Sequence, residues 1–152
     1  MSEKNKRIVL ADDDADDRQL FGEALQDVMP GVQLHFCTDG EELMEYLTHT
    51  KELPDLIFLD LNMPKKNGKE CLIEIRSNHR LSRVPIVIFS TTSDTSDVDF
   101  TYGLGARNFL KKPNSFEILK GAISQILSEA SKWHATVTRE GFVMISDTPP
   151  TQ

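Results

Sequence analysis

Apolar residues along this chain fall into two alternating patterns. Leu56, Ile57, Phe58 and Leu59 form an unbroken run between Pro54 and Asp60, and a short run without polar alternation reads as a strand buried on both faces. Arg7 to Ala11, Pro85 to Phe89 and Asn108 to Lys111 have the same character, while Val32 to Cys37 alternates like an outer strand. Between the runs the spacing turns helical. From Asp14 onward, Leu20, Phe21, Ala24, Leu25 and Val28 share one stripe until Pro30-Gly31 stops the helix. Leu43, Met44 and Leu47 follow an opening at Asp39-Gly40, and Cys71, Leu72 and Ile75 lie inward in Glu70 to Ser77. A weaker helix runs through Val98, Phe100 and Leu104, with Ser93 or Asp94 as its cap and Gly103 and Gly105 breaking it. The last helix begins at a cap on Asn114 or Ser115. It places Phe116, Leu119, Ile123, Ile126, Leu127 and Ala130 on one side to about Lys132.

Five strands alternating with five helices predict an α/β fold, a doubly wound parallel sheet with right-handed crossovers and the order 2-1-3-4-5. In such a sheet the ligand crevice opens at the C-terminal strand ends, between the first and third strands. One domain is expected over residues 6–132. The tail, 133–152, differs in character: it is rich in Thr, ends in Pro-Pro, and holds one apolar patch from Gly141 to Ile145 that would pair as a strand or meet a partner. No output domain is expected to follow.

Charge narrows the function. The net charge of -7 on 152 residues argues against direct nucleic-acid or anionic-membrane binding as the main task, and a cation is the more natural partner. No apolar run nears the roughly 18 residues of a membrane span, and no signal-peptide core precedes the first strand, so a cytoplasmic location is expected. Cys37 and Cys71 lack paired metal or dithiol spacing and read as reduced, packed thiols; His35, His49, His79 and His134 lack metal spacing and read as surface or edge residues.

Chemistry gathers where the strands end. The first strand runs into Asp12 and Asp13 and the third into Asp60, after which Met63-Pro64 forces the chain out of the sheet and Asn67-Gly68 supplies a turn. Carboxylates brought this close repel one another and raise one another's pKa unless a cation joins them. An all-oxygen set of this kind suits Mg²⁺, which retains waters and leaves positions open for a phosphoryl group. Ser90 and Lys112, at the ends of the fourth and fifth strands, bring a hydroxyl and an ammonium to the same rim, the donors that phosphoryl oxygens need. Asp60 is then the nucleophile, forming an acyl phosphate. Asp14, Asp16 and Asp17 read as cap and first-turn residues favoured by the helix dipole, and Lys65, Lys66 and Lys111 as solvated surface.

The set Asp12-Asp13, Asp60-Leu-Asn-Met-Pro, Ser90-Thr91 and Lys112-Pro113, in this order, resembles the receiver domain of two-component response regulators over about residues 6–132. The stretch Asp60 to Glu70 looks most like the small single-domain regulators encoded with bacterial phytochromes. The resemblance implies a flavodoxin-like receiver fold and a phosphorelay switch rather than an enzyme. A sensor histidine kinase or histidine phosphotransfer protein would donate the phosphoryl group to Asp60. It further implies that Asp13 and Asp60 ligate Mg²⁺, that Asp12 acts mainly through metal-bound water, and that Asn62 gives its backbone carbonyl to the metal. Ser90 would move inward with Phe109 as the switch aromatic, Lys112 would pair with the phosphoryl group, and Asn62 and Thr92 would tune its lifetime. Lys112-Pro113 would carry a cis peptide bond. Phe109 lacks the hydroxyl of a Tyr, so a switch here would act by packing.

Two other classes share parts of this pattern. A haloacid-dehalogenase-type phosphohydrolase places a second Asp two residues after its nucleophile, and here Asn62 stands there. A flavodoxin-like flavin carrier needs a loop rich in Ser, Thr and Gly after the first strand, where Asp12-Asp13-Asp14 would repel a flavin phosphate. A homodimer through the fourth and fifth helices or the apolar patch in the tail is expected as a possible assembly.

Overall fold

The computed structural model describes residues 6–135 and 137–144. Strands β1 (Arg7–Ala11), β2 (Gln33–Cys37), β3 (Leu56–Leu59), β4 (Ile86–Ser90), β5 (Asn108–Lys111) and β6 (Val143–Met144) alternate with helices α1 (Ala15–Val28), α2 (Gly40–His49), α3 (Gly68–Ser77), α4 (Thr95–Gly103) and α5 (Phe116–Ser128). All strand pairs are parallel, in the order β2-β1-β3-β4-β5-β6. Both faces of the sheet are covered, which is why β3 and β4 carry no polar alternation. One face packs Val9, Ile57, Ile86, Ile88 and Phe109 against α2, α3 and α4. The other packs Ile8, Leu10, Phe58, Val87 and Leu110 against α1 and α5. Phe21, Phe58 and Phe89 meet there, with ring centroids of Phe21 and Phe58 4.8 Å apart.

The helix starts are set by local chemistry. Asp14, Asp39 and Ser115 accept hydrogen bonds from the backbone N–H groups of Asp17, Glu42 and Ile118. Asn67 and Glu70 form a reciprocal capping box, which starts α3 at Gly68, two residues earlier than its apolar spacing indicated. Gly68 is required there by packing: a Cβ would lie 2.2 Å from the carbonyl oxygen of Asp60. Asp94 precedes α4 without a side-chain cap bond, in keeping with the weak pattern of that helix. α5 ends at Ser128 and a separate 3-10 turn, Ala130–Lys132, replaces the continuous helix expected to Lys132.

Lys65, in the loop after β3, adopts a left-handed φ of 69°. Such a conformation costs a non-glycine residue roughly 1–2 kcal/mol. Lys65→Gly should therefore raise stability or leave it unchanged, by up to about 1 kcal/mol, in urea denaturation; a loss of more than that would show that the Lys65 contact with Asp39, at 3.8 Å, outweighs the backbone term.

Beyond Lys132 the apolar patch takes the first of its two expected roles and pairs as a strand. Trp133 is buried and donates from Nε1 to the carbonyl of Ile126 at 2.9 Å. The chain then returns so that β6 adds to β5, pairing Phe109 with Val143 and Leu110 with Met144. Phe142 is fully buried, 5.2 Å from the Tyr102 ring and 6.3 Å from that of Phe109. Asn108 secures the junction from its side-chain amide to the carbonyls of Gly141 (3.2 Å) and Phe142 (3.1 Å). The apolar patch is thus spent on the chain's own core, which removes it as a motive for dimerisation; its last residue, Ile145, lies outside the described residues. The physical reason is that β5 would otherwise end the sheet with an unpaired edge beside a buried Phe.

Cys37 and Cys71 are free and buried, and burial pushes both thiols up to about 12. His35, His49, His79 and His134 are all exposed, with His35 stacked on Tyr46 at 4.0 Å. Among the described residues no helix is long and apolar enough to cross a membrane.

Candidate functional site

β1 and β3 lie side by side, and their ladder continues one residue past each strand. The N–H of Asp60 bonds the carbonyl of Ala11 at 2.9 Å, and that of Asp12 bonds the carbonyl of Cys37 at 3.0 Å. Asp12 and Asp60 are therefore held by backbone pairing at adjacent strand ends, both buried, with exposed Asp13 on the rim. Carboxylate oxygens of the three lie within 4.8 Å of one another. Asp12 and Asp60 are oriented alike: Oδ1 of each accepts the backbone N–H two residues on, from Asp14 at 3.0 Å and from Asn62 at 3.1 Å. Arg18 donates from Nη1 to the Asp12 carbonyl at 2.8 Å, tying α1 to the same loop.

The Oδ2 atoms turn toward Lys112, which arrives from the end of β5. Its ammonium stands 2.8 Å from Asp12 Oδ2, 2.8 Å from Asp17 Oδ2 and 3.3 Å from Asp60 Oδ2, and 5.3 Å from the centroid of the Phe89 ring. Burial alone would push the Lys112 ammonium down, but the carboxylates of Asp12, Asp17 and Asp60 hold it above the ordinary lysine range. Asp60 moves the other way. Burial raises it and the adjacent Lys112 ammonium only partly offsets this, so its carboxyl is pushed up to about 6.

Three carboxylates, Asp12, Asp17 and Asp60, share the single Lys112 ammonium, and Asp13 adds a fourth on the rim, so the cluster keeps an excess of negative charge. Buried negative charge left in excess is costly unless a cation meets it. Asp12, Asp13 and Asp60 are hard oxygen donors of the kind a divalent cation takes, so the residues present fit such an ion. A group titrating near 6 must lose its proton before it ligates. Affinity for Mg²⁺ or Mn²⁺ should then be nearly constant above pH 7 and fall by about tenfold between pH 7 and pH 5. The folding linkage has a related sign: with Asp60 raised above its usual 3.8, the metal-free chain loses stability as pH climbs from about 4 to about 6, and added metal restores it. Calorimetric titration of Mg²⁺ at pH 5 and 7.5 checks this, and equal affinities would contradict it.

Ser90, fully buried at the end of β4, is paired in register with Lys111, and its carbonyl accepts the Lys112 N–H at 2.7 Å. Its hydroxyl accepts from the Thr92 N–H at 3.4 Å and, among the described residues, has no hydrogen bond to the carboxylates. Asn62 and Thr92 are exposed at the mouth. Phe109 is fully buried in the face toward α4, one layer below the rim. The structure thus brings Asp12, Asp13, Asp60 and Lys112 together, and places Ser90, Asn62 and Thr92 around them. The Lys112–Pro113 bond is trans, since no peptide among the described residues is cis; trans is also the isomer favoured for X–Pro bonds by about 0.5–1 kcal/mol.

Asp17 stands in the first turn of α1 as the sequence indicated, and the structure adds a contact that the sequence reading did not include. Its acidity suits the first turn of α1, but its side chain reaches Lys112, 95 residues away.

Comparison with known proteins agrees with this geometry. The family model for the response regulator receiver domain matches residues 8–124. The chain is similar to the response regulator Rcp1 of Synechocystis sp., 35% identical over 138 residues, spanning 88% of this chain and 92% of that protein. Among solved structures it is similar to the phosphorylated cyanobacterial phytochrome response regulator RcpA, with a TM-score of 0.77 and 34% identity over 89% of this chain and 98% of that one. It is also similar to the Mn²⁺-bound form of Rcp1, with a TM-score of 0.73 and 34% identity over 88% of this chain and 97% of that one.

Proposed function

This chain belongs to the response regulator receiver family, and from that premise we propose that Asp60 is the residue that takes the phosphoryl group from a partner histidine kinase, in a reaction dependent on Mg²⁺ held by Asp12, Asp13 and Asp60. The observation that carries the reading is the convergence of those carboxylates with the Lys112 ammonium, 3.3 Å from Asp60 Oδ2, at the crevice between β1 and β3. The bound cation supplies charge neutralisation between Asp60 and the incoming phosphoryl oxygens. The chain's own residues do the rest. The N–H of Asn62 holds Asp60 Oδ1 and fixes the carboxylate plane, while burial keeps the nucleophile poorly solvated. Lys112 is placed to donate to a phosphoryl oxygen, and the Asn62 backbone carbonyl would complete the metal's protein ligands. Ser90 is the hydroxyl that would turn from Thr92 toward the phosphoryl group.

Phe109 is the proposed switch aromatic. It packs beside Phe142, so any repacking at Phe109 would reach β6 and Tyr102 of α4 through direct ring contact. Asn62 and Thr92, exposed at the mouth, would set the access of hydrolytic water and hence the lifetime. We further propose residues 6–132 as the phosphoryl-accepting unit and 133–152 as a tail, in which Val143–Met144 covers the β5 edge. A phytochrome-like sensor kinase or a histidine phosphotransfer protein as donor, a cytoplasmic location and a homodimer through α4 and α5 complete the reading. Intact mass after incubation with acetyl phosphate and Mg²⁺ tests it: one added phosphoryl group is expected, and rapid release of inorganic phosphate without an adduct would favour a hydrolase instead.

A further inference from the structure

Three N–H bonds of the Lys112 ammonium face three carboxylates, and two of those carboxylates are changed by the reaction proposed above. Asp12 belongs to the oxygen cluster fitted to the cation, and Asp60 becomes an acyl phosphate, a mixed anhydride, when its oxygen bonds to phosphorus. In that transfer the O–P bond forms as the P–N bond of the donor phosphohistidine breaks, with the electron pair returning to the imidazole nitrogen. Lys112 must then leave the Asp60 carboxylate for a phosphoryl oxygen. Asp17 stands outside the cluster and is altered by neither event. Its contact with Lys112, at 2.8 Å, is as short as any the ammonium makes and shorter than the 3.3 Å to Asp60. It is also sheltered, with the Lys112 side chain 9% exposed and that of Asp17 32%. Asp17 is carried on α1, a helix fixed at its start by the Asp14 cap and by the bond from Arg18 to the Asp12 carbonyl.

We propose that Asp17 is a positioning residue of the phosphoryl site: it anchors the Lys112 ammonium from α1 in every state of the reaction, so that the flexible lysine stem stays within reach of the phosphoryl oxygens when Asp12 and Asp60 are taken. This inference rests on the reading of Asp60 as phosphoryl acceptor. Without the anchor, the ammonium would have to be ordered anew at each transfer.

The test is the rate of phosphorylation by acetyl phosphate at saturating Mg²⁺, together with the ¹⁵N-detected lysine ammonium signal of Lys112, assigned by its loss in Lys112→Arg. The wild type should show a slowly exchanging Lys112 signal that persists with Mg²⁺ and beryllofluoride as phosphoryl mimic. Asp17→Asn and Asp17→Ala should lose that signal and slow phosphorylation by about five- to tenfold, while Asp17→Glu, which keeps a carboxylate, should recover most of both. Unchanged rates in Asp17→Asn and Asp17→Ala, or slowed rates with the ammonium signal intact, would overturn the proposal. Failure of the wild type itself to gain a phosphoryl group would instead remove the reading of Asp60 on which it rests.

Discussion

Asp60→Asn is expected to abolish the phosphoryl adduct completely while leaving the fold as stable as before or more so. The substitution is nearly isosteric and keeps an oxygen for the Asn62 N–H, which now binds Oδ1 at 3.1 Å. What it removes is the ionised oxygen that attacks phosphorus, and an amide is no substitute nucleophile. The stability side follows from burial. Asp60 is 4% exposed and its carboxyl is pushed up to about 6, so at pH 7 the metal-free fold holds an unwilling anion beside Asp12. A neutral amide relieves that repulsion, although the ionic contact with Lys112 is lost. Intact mass with acetyl phosphate and Mg²⁺ reads the first effect, and a urea unfolding curve at pH 7 without metal reads the second. A phosphoryl group still found on the Asn variant would move the acceptor elsewhere in the acidic cluster. A variant destabilised by more than about 1 kcal/mol would mean that the pairing with Lys112 outweighs the burial of the charge.

The second large effect is structural and lies far from the carboxylates. Phe142→Ala should destabilise the fold by about 3–5 kcal/mol, the usual cost of removing a fully buried Phe and leaving a cavity. Phe142 is wedged between Tyr102 on α4 and Phe109 on β5, and its carbonyl accepts both the Phe109 N–H, at 2.9 Å, and the Asn108 amide. Cutting the chain after Lys132 should cost at least as much, because Trp133 and the pairing of β6 with β5 go with it. Urea denaturation measures the loss. A change below about 1 kcal/mol in either variant would show that the extension lies on the domain without supporting it.

Much of this molecule is legible along the chain, and the reason is local. The runs Arg7 to Ala11, Leu56 to Leu59 and Ile86 to Phe89 are short, apolar and bounded by turn or acidic residues, so their strand character and double-sided burial follow from hydrophobicity alone. Asp14, Asp39 and Ser115 announce helix starts because each caps through its own neighbours. The parallel order of the first five strands follows from the handedness of the crossovers, and with it the meeting of Asp12, Asp13 and Asp60 at one crevice.

Other features depended on which distant residue arrives. β6 is two residues long; its apolar patch is visible in the sequence, but the edge it joins is set by β5, which offers an open edge with the buried Phe109 beside it. Asp17 and a surface carboxylate on any amphipathic helix look the same in sequence, and only the approach of Lys112 from the far end of the sheet distinguishes them. The acidity of Asp60 likewise depends on a balance of burial, Lys112 and Asp12 that none of these residues contains by itself. The sequence by itself therefore determined the first five strands, their order and the meeting of Asp12, Asp13 and Asp60 at one crevice, because hydrophobic period and strand-end chemistry act over a few residues. Tertiary structure alone decided how the β5 edge is closed, which carboxylate anchors the lysine and how each charge is tuned, because those depend on distances between groups up to 95 residues apart in the chain.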